Sequence, residues 1–284
     1  MLAPEVLRYA AFTTQPSGGN PAGVVLDASG LHENEMQRIA ADVDDAETAF
    51  VTARTSDGGL SIRYFSPIAE VPFCGHATIA TAVAAVDEGL TDAGGAVRFA
   101  TPVGPVDITV TRDDAGVRAA FTSIEPTVTS LPSDDLAAIL RLLDLPSEAL
   151  DATLPPRLAN AGNPHPVIAL AERSAFDGFS FDPAAVRALM DDRGWPATIT
   201  VIHRLASDRF AARNLFPVGR ITEDPATGSA AAAVGAYLRS LDPAGSTRRI
   251  TIEQGSHVGR PGILSVDIPP TGGIAVSGHA VPID

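Results

Sequence analysis

The sequence predicts an α+β protein made of two related halves. Two observations carry this: strand-like and helix-like segments are interleaved along the chain, and several phrases occur twice in the same order. "GNPAGVV" from Gly19 is echoed by "GNPHPVI" from Gly162, and "EVPFCGHA" from Glu70 by "EDPATGSA" from Glu223. Each member of the second pair follows a strand with phenylalanine and proline ("RYFSP", "RNLFP") and opens an alanine-rich run. A looser echo joins "TPVGPVDITV" to "EQGSHVGRPGILSVDI", both read as strand-turn-strand.

The elements follow in order. Strands are expected at 22–26, 48–53, 60–65, 106–111 and 117–123, each rich in β-branched or aromatic residues and bounded by turn residues. Helices are expected at 33–42, 77–88, 134–143, 183–191 and 229–239, several with acids in the first turn. The alanine-rich helices, starting at Ala77 and Ser229, suit burial inside a curved sheet, with glycine easing the tight passage from strand to helix. Proline and polar residues in "EPTVTSLPS" mark a boundary between Ser123 and Ser133. The expected domains are 1–123, completed by about 275–284, and 124–274.

Composition narrows the function. A chain of 284 residues, 45% hydrophobic, can bury a large core. Its formal net charge of −14 disfavours nucleic acid or an anionic membrane and favours a small-molecule partner. No apolar run approaches the about 20 residues of a membrane span, so a cytoplasmic protein is expected. Cys74 is the single cysteine, which removes disulfides and paired-thiol chemistry. All 20 basic residues are arginine. Without lysine there is no Schiff base, so pyridoxal-phosphate and lysine-aldolase chemistry are excluded.

The repeated motifs carry the candidate site. His76 and Ser229 follow the paired Gly75 and Gly228 and fall near the free amides of a helix N-terminus, where an anion such as a substrate carboxylate could bind. The halves differ where a symmetric thiol pair would need to match, because Thr227 stands opposite Cys74. A threonine hydroxyl is a poor base, so the general base is sought elsewhere. Glu47 in "DVDDAETAFV" lies at the edge of an apolar strand, where partial desolvation would raise its pKa; on periodicity alone it also reads as an exposed strand-edge acid. Cys74 itself reads first as a buried small side chain. The six histidines show no paired metal-ligand spacing and are read mostly as loop or strand-end residues, so no metal is expected.

Taken together, "GNPAGVV", "DDAETAFV", "EVPFCGHAT" and "EDPATGSAA" resemble the phenazine-biosynthesis PhzF-like family, which has the diaminopimelate epimerase fold. The resemblance spans nearly the whole chain. It implies two pseudo-symmetric domains, each a curved, mostly antiparallel sheet wrapped around a central helix, with the active site in the cleft between them. It further implies a cofactor-independent isomerase in which Glu47 moves a proton on a small carboxylate-bearing substrate. His76 and Asp224 would hold the substrate or assist proton movement, Gly75, Gly228 and Ser229 would line the carboxylate site, and the protein would be a homodimer. Within "EDPATGSA", Asp224 is expected to face the substrate and Glu223 to point away, so that Glu223→Gln does little.

Two other readings stay open at this level. One is an epimerase or dehydratase of a hydroxylated or cyclic amino acid using Cys74 with Thr227. The other is a small-molecule-binding member of the fold without turnover. A serine hydrolase is disfavoured because "ATGSA" lacks the G-x-S-x-G elbow.

Overall fold

A computed structural model of the chain describes residues 4–218, 221–242, 245 and 247–284. It is rich in sheet, with strands outnumbering helices among the described residues. The chain divides into two compact units, one ending at Thr122 and taking back Ser277–Asp284, the other comprising Ser123–Val276.

The first unit runs β1 (Leu7–Ala11), β2 (Asn20–Val25), α1 (Glu33–Val43), β3 (Glu47–Arg54), β4 (Leu60–Phe65), β5 (Glu70–Val71), α2 (Gly75–Asp87), β6 (Ala96–Thr101), β7 (Gly104–Asp113) and β8 (Gly116–Thr122). Consecutive strands pair antiparallel where a short turn joins them: β1 with β2, β3 with β4, β4 with β5, β6 with β7 and β7 with β8. Parallel pairs require a crossover, and here helices supply it. The helix α1 lies between the parallel strands β2 and β3, and α2 between β4 and β6.

The second unit runs β9 (Thr127–Ser130), α3 (Ser133–Leu142), β10 (Arg157–Asn160), β11 (Pro164–Leu170), α4 (Arg173–Gly178), α5 (Pro183–Arg193), β12 (Ile199–Ala206), β13 (Arg209–Val218), β14 (Ile221–Asp224), α6 (Gly228–Leu241), β15 (Arg248–Gln254) and β16 (Gly262–Ile268). Its pairings repeat the series: β10 with β11 antiparallel, β11 with β12 parallel, β12 with β13 and β13 with β14 antiparallel, β13 with β15 parallel, β15 with β16 antiparallel. Even a register irregularity recurs, between Val51 and Ala53 on β3 and between Arg204 and Ala206 on β12. A last strand, β17 (Ala275–Pro282), pairs antiparallel with β1.

The alanine-rich helices are buried on every side. In α2 all ten residues from His76 to Ala85 are buried, and in α6 all nine from Ala230 to Leu238. A helix without a solvent face has no use for a polar stripe, and small side chains let the surrounding strands approach closely. By contrast α1 buries only Met36 and Ala40, which pack with Val25, Phe50 and Phe65 in one apolar cluster. Phe50 and Phe65 meet edge to face at 5.5 Å. The second unit has its own core, in which Ile139, Phe176, Met190, Trp195 and Leu215 are buried together.

Two details differ from expectation. The helices start at Gly75 and Gly228 rather than at Ala77 and Ser229, with Cys74 and Thr227 as their N-caps, both in extended conformation. His76 and Ser229 therefore sit inside the first turn. Neither Gly75 nor Gly228 has positive φ, so no left-handed turn demands glycine there. The segment Arg173–Gly178 also forms a short helix that periodicity did not mark, being too brief to show an apolar face. No helix among the described residues is long and apolar enough to cross a membrane.

Candidate active site

In the first unit the fold gathers Glu47, Cys74 and His76 into one cluster. Glu47 opens β3 opposite Ala22 of β2, so its side chain leaves the sheet where apolar burial begins. It is 14% exposed, against 6% for the His76 side chain. His76 Nε2 lies 3.3 Å from Glu47 Oε2, and the Cys74 thiol donates to the same oxygen at 3.4 Å. The thiol sulfur also lies 3.3 Å from His76 Nδ1.

The ring's orientation follows from Asn20 on β2, whose Nδ2 stands 3.1 Å from His76 Nδ1. An amide nitrogen only donates, so Nδ1 accepts. Burial pushes the His76 imidazole down to about 3, leaving one ring proton at neutral pH. That proton is on Nε2, the nitrogen 3.3 Å from Glu47 Oε2. Glu47 Oε2 thus accepts the thiol S–H and stands beside the imidazole Nε2, where the start of a strand meets the start of a buried helix.

The helix start is itself braced. The Thr78 hydroxyl donates back to the Cys74 carbonyl at 2.7 Å, and the Tyr64 hydroxyl is 2.7 Å from Thr78 Oγ1. Because Thr78 has spent its proton, Tyr64 is the donor. Burial raises the Tyr64 phenol above its ordinary range, so it keeps that proton.

A carboxylate, a thiol and an imidazole within 4.8 Å of one another are also a donor set that suits a divalent metal. Sequence spacing hid this, since the three ligands come from two elements. As placed, though, Asn20 keeps the proton on the nitrogen facing Glu47, and a metal there would require the Asn20 amide to turn over.

In the second unit Asp224 ends β14 and is buried. Its Oδ2 accepts from the Thr227 hydroxyl at 2.5 Å. Gln254 locks this turn: its Nε2 donates to the Asp224 carbonyl at 2.6 Å and to Thr227 Oγ1 at 2.9 Å, while its Oε1 accepts from the Thr227 amide at 3.2 Å. Ser229, in the first turn of α6, is half-buried, and its hydroxyl lies 3.2 Å from Nε2 of His165. His165 is fully buried in β11 and within 2.9 Å of the Thr198 hydroxyl.

Glu223, expected to point away from the substrate and to matter little, has a partner of its own. Strand alternation does turn it to the face opposite Asp224. There it forms a nearly buried ion pair with Arg213, whose guanidinium also donates to the carbonyls of Phe176 and Phe179 at 3.0 and 2.9 Å. It is a structural residue.

Sequence reasoning missed Asn20, His165, Thr198 and Gln254. A signal for two of them was present in the repeated "GNP" phrase, which contains Asn20 and precedes His165. His76 lies in the first turn of α2, as its motif suggested, and His165 lies near the start of β11; what the sequence did not show is that both are buried.

Known proteins resemble this chain over most of its length. An uncharacterized isomerase of Deinococcus radiodurans is 35% identical over 267 residues, covering 91% of this chain and 85% of its own length. YddE of Escherichia coli K12, likewise named an uncharacterized isomerase, is 33% identical over 273 residues, covering 94% and 91%. Among solved structures, a phenazine biosynthesis protein of the PhzF family from Bacillus anthracis superposes with a TM-score of 0.88 at 26% identity, covering 100% of this chain and 98% of that one. A hydroxyproline epimerase from Agrobacterium vitis has a TM-score of 0.67 at 11% identity over 98% and 90% of the two chains, which shows shared fold alone.

A sheet-rich fold of this kind, with relatives so named, defines an isomerase. The phenazine biosynthesis-like family model, PhzC-PhzF, matches residues 9–284, and the chain belongs to that family.

Proposed function

We propose that the protein is a cofactor-independent isomerase that moves a proton on a small carboxylate-bearing substrate, with Glu47 as the general acid/base. The observation that supports this best is the cluster at Glu47 Oε2, where a half-buried carboxylate accepts from the Cys74 thiol and lies 3.3 Å from the His76 ring. A carboxylate partly screened from water is suited to take a proton from carbon and return it elsewhere on the same molecule. His76 is neutral and stands 3.3 Å from the Glu47 carboxylate, so it assists proton movement without itself being the base. In the second unit Asp224 has a polar role toward the substrate and Gly228 and Ser229 line a carboxylate seat, and Gly75 opens the corresponding helix in the first unit, as the family resemblance implies.

Solvent-deuterium exchange into a panel of hydroxylated cyclic acids and amino acids tests the reading. Wild-type protein should label at least one carbon position, and Glu47→Gln should slow that labelling by about 10²–10⁴-fold with the fold intact. Labelling at an undiminished rate in Glu47→Gln would place the base elsewhere.

A second reading has one observation behind it. The Cys74 thiol lies within hydrogen-bonding distance of both Glu47 and His76, so it could be the proton-carrying group of an epimerase or dehydratase. In that case Cys74→Ser abolishes exchange and Glu47→Gln spares it.

A further inference from the structure

His165 has no exposed surface, yet each of its ring nitrogens has a partner, and the partners differ in kind. Nδ1 lies 3.2 Å from the backbone carbonyl of Thr198 and 2.9 Å from the Thr198 hydroxyl. A carbonyl oxygen can only accept, so Nδ1 carries a hydrogen. The Thr198 hydroxyl is consistent with this. It donates its own proton to Asn214 Oδ1 at 2.8 Å, where Thr200 also donates at 2.7 Å, and so has lone pairs to offer the ring. Burial pushes His165 down to about 4, which leaves a single ring proton at neutral pH. Nε2 is therefore a bare lone pair, and Ser229 Oγ, 3.2 Å away, is the donor.

A serine hydroxyl has one hydrogen. We infer that His165 is a positioning residue that draws the Ser229 proton inward, so that the outward side of Ser229 Oγ is an acceptor and the substrate group seated on it is an ammonium or a hydroxyl rather than the carboxylate. This rests on the reading that Ser229 lines the substrate site. It changes what Ser229 does there: the residue meets a carboxylate through its backbone amide and a donor group through its side chain. The two units use the Gly-Asn-Pro strand with opposite polarity, since Asn20 donates to the helix residue His76 whereas His165 accepts from the helix residue Ser229.

The same pair does not make Ser229 a nucleophile. Attack by Oγ would form a bond to the substrate and transfer the hydroxyl proton to Nε2, leaving a buried imidazolium hydrogen-bonded to a carbonyl and hydroxyls and, among the described residues, paired with no carboxylate. Burial opposes that charge.

The test reads the ring nitrogens directly. In protein labelled with ¹⁵N-histidine, His165 should show a protonated Nδ1 and an unprotonated Nε2 across neutral pH. Ser229→Ala should shift the Nε2 resonance to the position of an unbonded ring nitrogen while leaving Nδ1 in place. A protonated Nε2, or an Nε2 resonance indifferent to Ser229→Ala, overturns the inference. The ligand polarity is read with a matched pair of probes, L-proline and cyclopentanecarboxylate, which differ only by the ring ammonium, bound to Glu47→Gln protein. Ser229→Ala should weaken L-proline about fivefold and cyclopentanecarboxylate less than about twofold. Equal losses would mean that the hydroxyl serves the carboxylate and would end the proposal. Should neither probe bind, the ring-nitrogen measurement alone decides. Persistent exchange in Glu47→Gln would remove the acid/base reading and leave the His165 tautomer standing, so the two failures are distinguishable.

Discussion

Glu223 and Asp224 are adjacent acids with opposite fates, and this contrast sets the first test. Glu223 neutralises a nearly buried arginine, whereas Asp224 faces a threonine hydroxyl that an asparagine oxygen can also satisfy. Glu223→Gln should lower stability by about 1–3 kcal/mol, since it leaves Arg213 with a neutral acceptor in a dry site. Asp224→Asn should fold normally and lose about 10²-fold in exchange rate. Urea unfolding and deuterium exchange on both variants check this, and the reverse assignment of damage would show the motif facing the other way. His165 sets a second test. Its folded value near 4 lies below the usual 6.5, so between those values the unfolded chain binds a proton that the folded chain refuses. The stability His165 confers is complete above pH 6.5 and is lost as the pH falls toward 4, with a slope of up to about 1.4 kcal/mol per pH unit. His165→Gln should flatten that slope in urea titrations taken across the range. An unchanged slope would place the acid sensitivity in other groups.

At the scale of elements, the buried helices explain the alanines. Gly235 on α6 shows how little room remains: a Cβ added there would come within 2.7 Å of the Ile274 side chain and 2.9 Å of Val266. Alanine raises helix propensity by about 1 kcal/mol, but overpacking a dense core costs about 1–3 kcal/mol, so crowding wins. Gly235→Ala should therefore lower Tm, and a rise in Tm would show that the strand side chains yield easily. Burial of α2 has the matching consequence that its fully buried branched apolar side chains, Ile79 and Val83, each contribute about 1.5–3 kcal/mol by leaving water.

For the whole molecule, the family resemblance implies a homodimer, and light scattering should give twice the 29.3 kDa of one chain. Each copy carries a net charge of −14, so like-charge repulsion opposes association. Raising the salt should strengthen the dimer by screening that repulsion. A single-chain mass at every salt concentration would refute the assembly.

Duplication, element order and the position of most helices were legible in the sequence because they depend on local signals. Alanine-rich runs, β-branched strands and repeated phrases are written within a few neighbouring residues, and "GNP" or "EVPFCGHA" needs no tertiary contact to be recognised. Glu47, His76 and Asp224 could be nominated from those phrases and from the family resemblance. Their partners could not. Asn20 reaches His76 across 56 residues, His165 reaches Ser229 across 64, and Gln254 closes the Asp224 turn from 30 residues away. Ring tautomers, the direction of the Ser229 hydrogen bond and the burial of Glu223 against Arg213 exist only once those segments are packed together. Low polarity and fixed geometry then allow a single proton placement where an isolated segment in water would allow several.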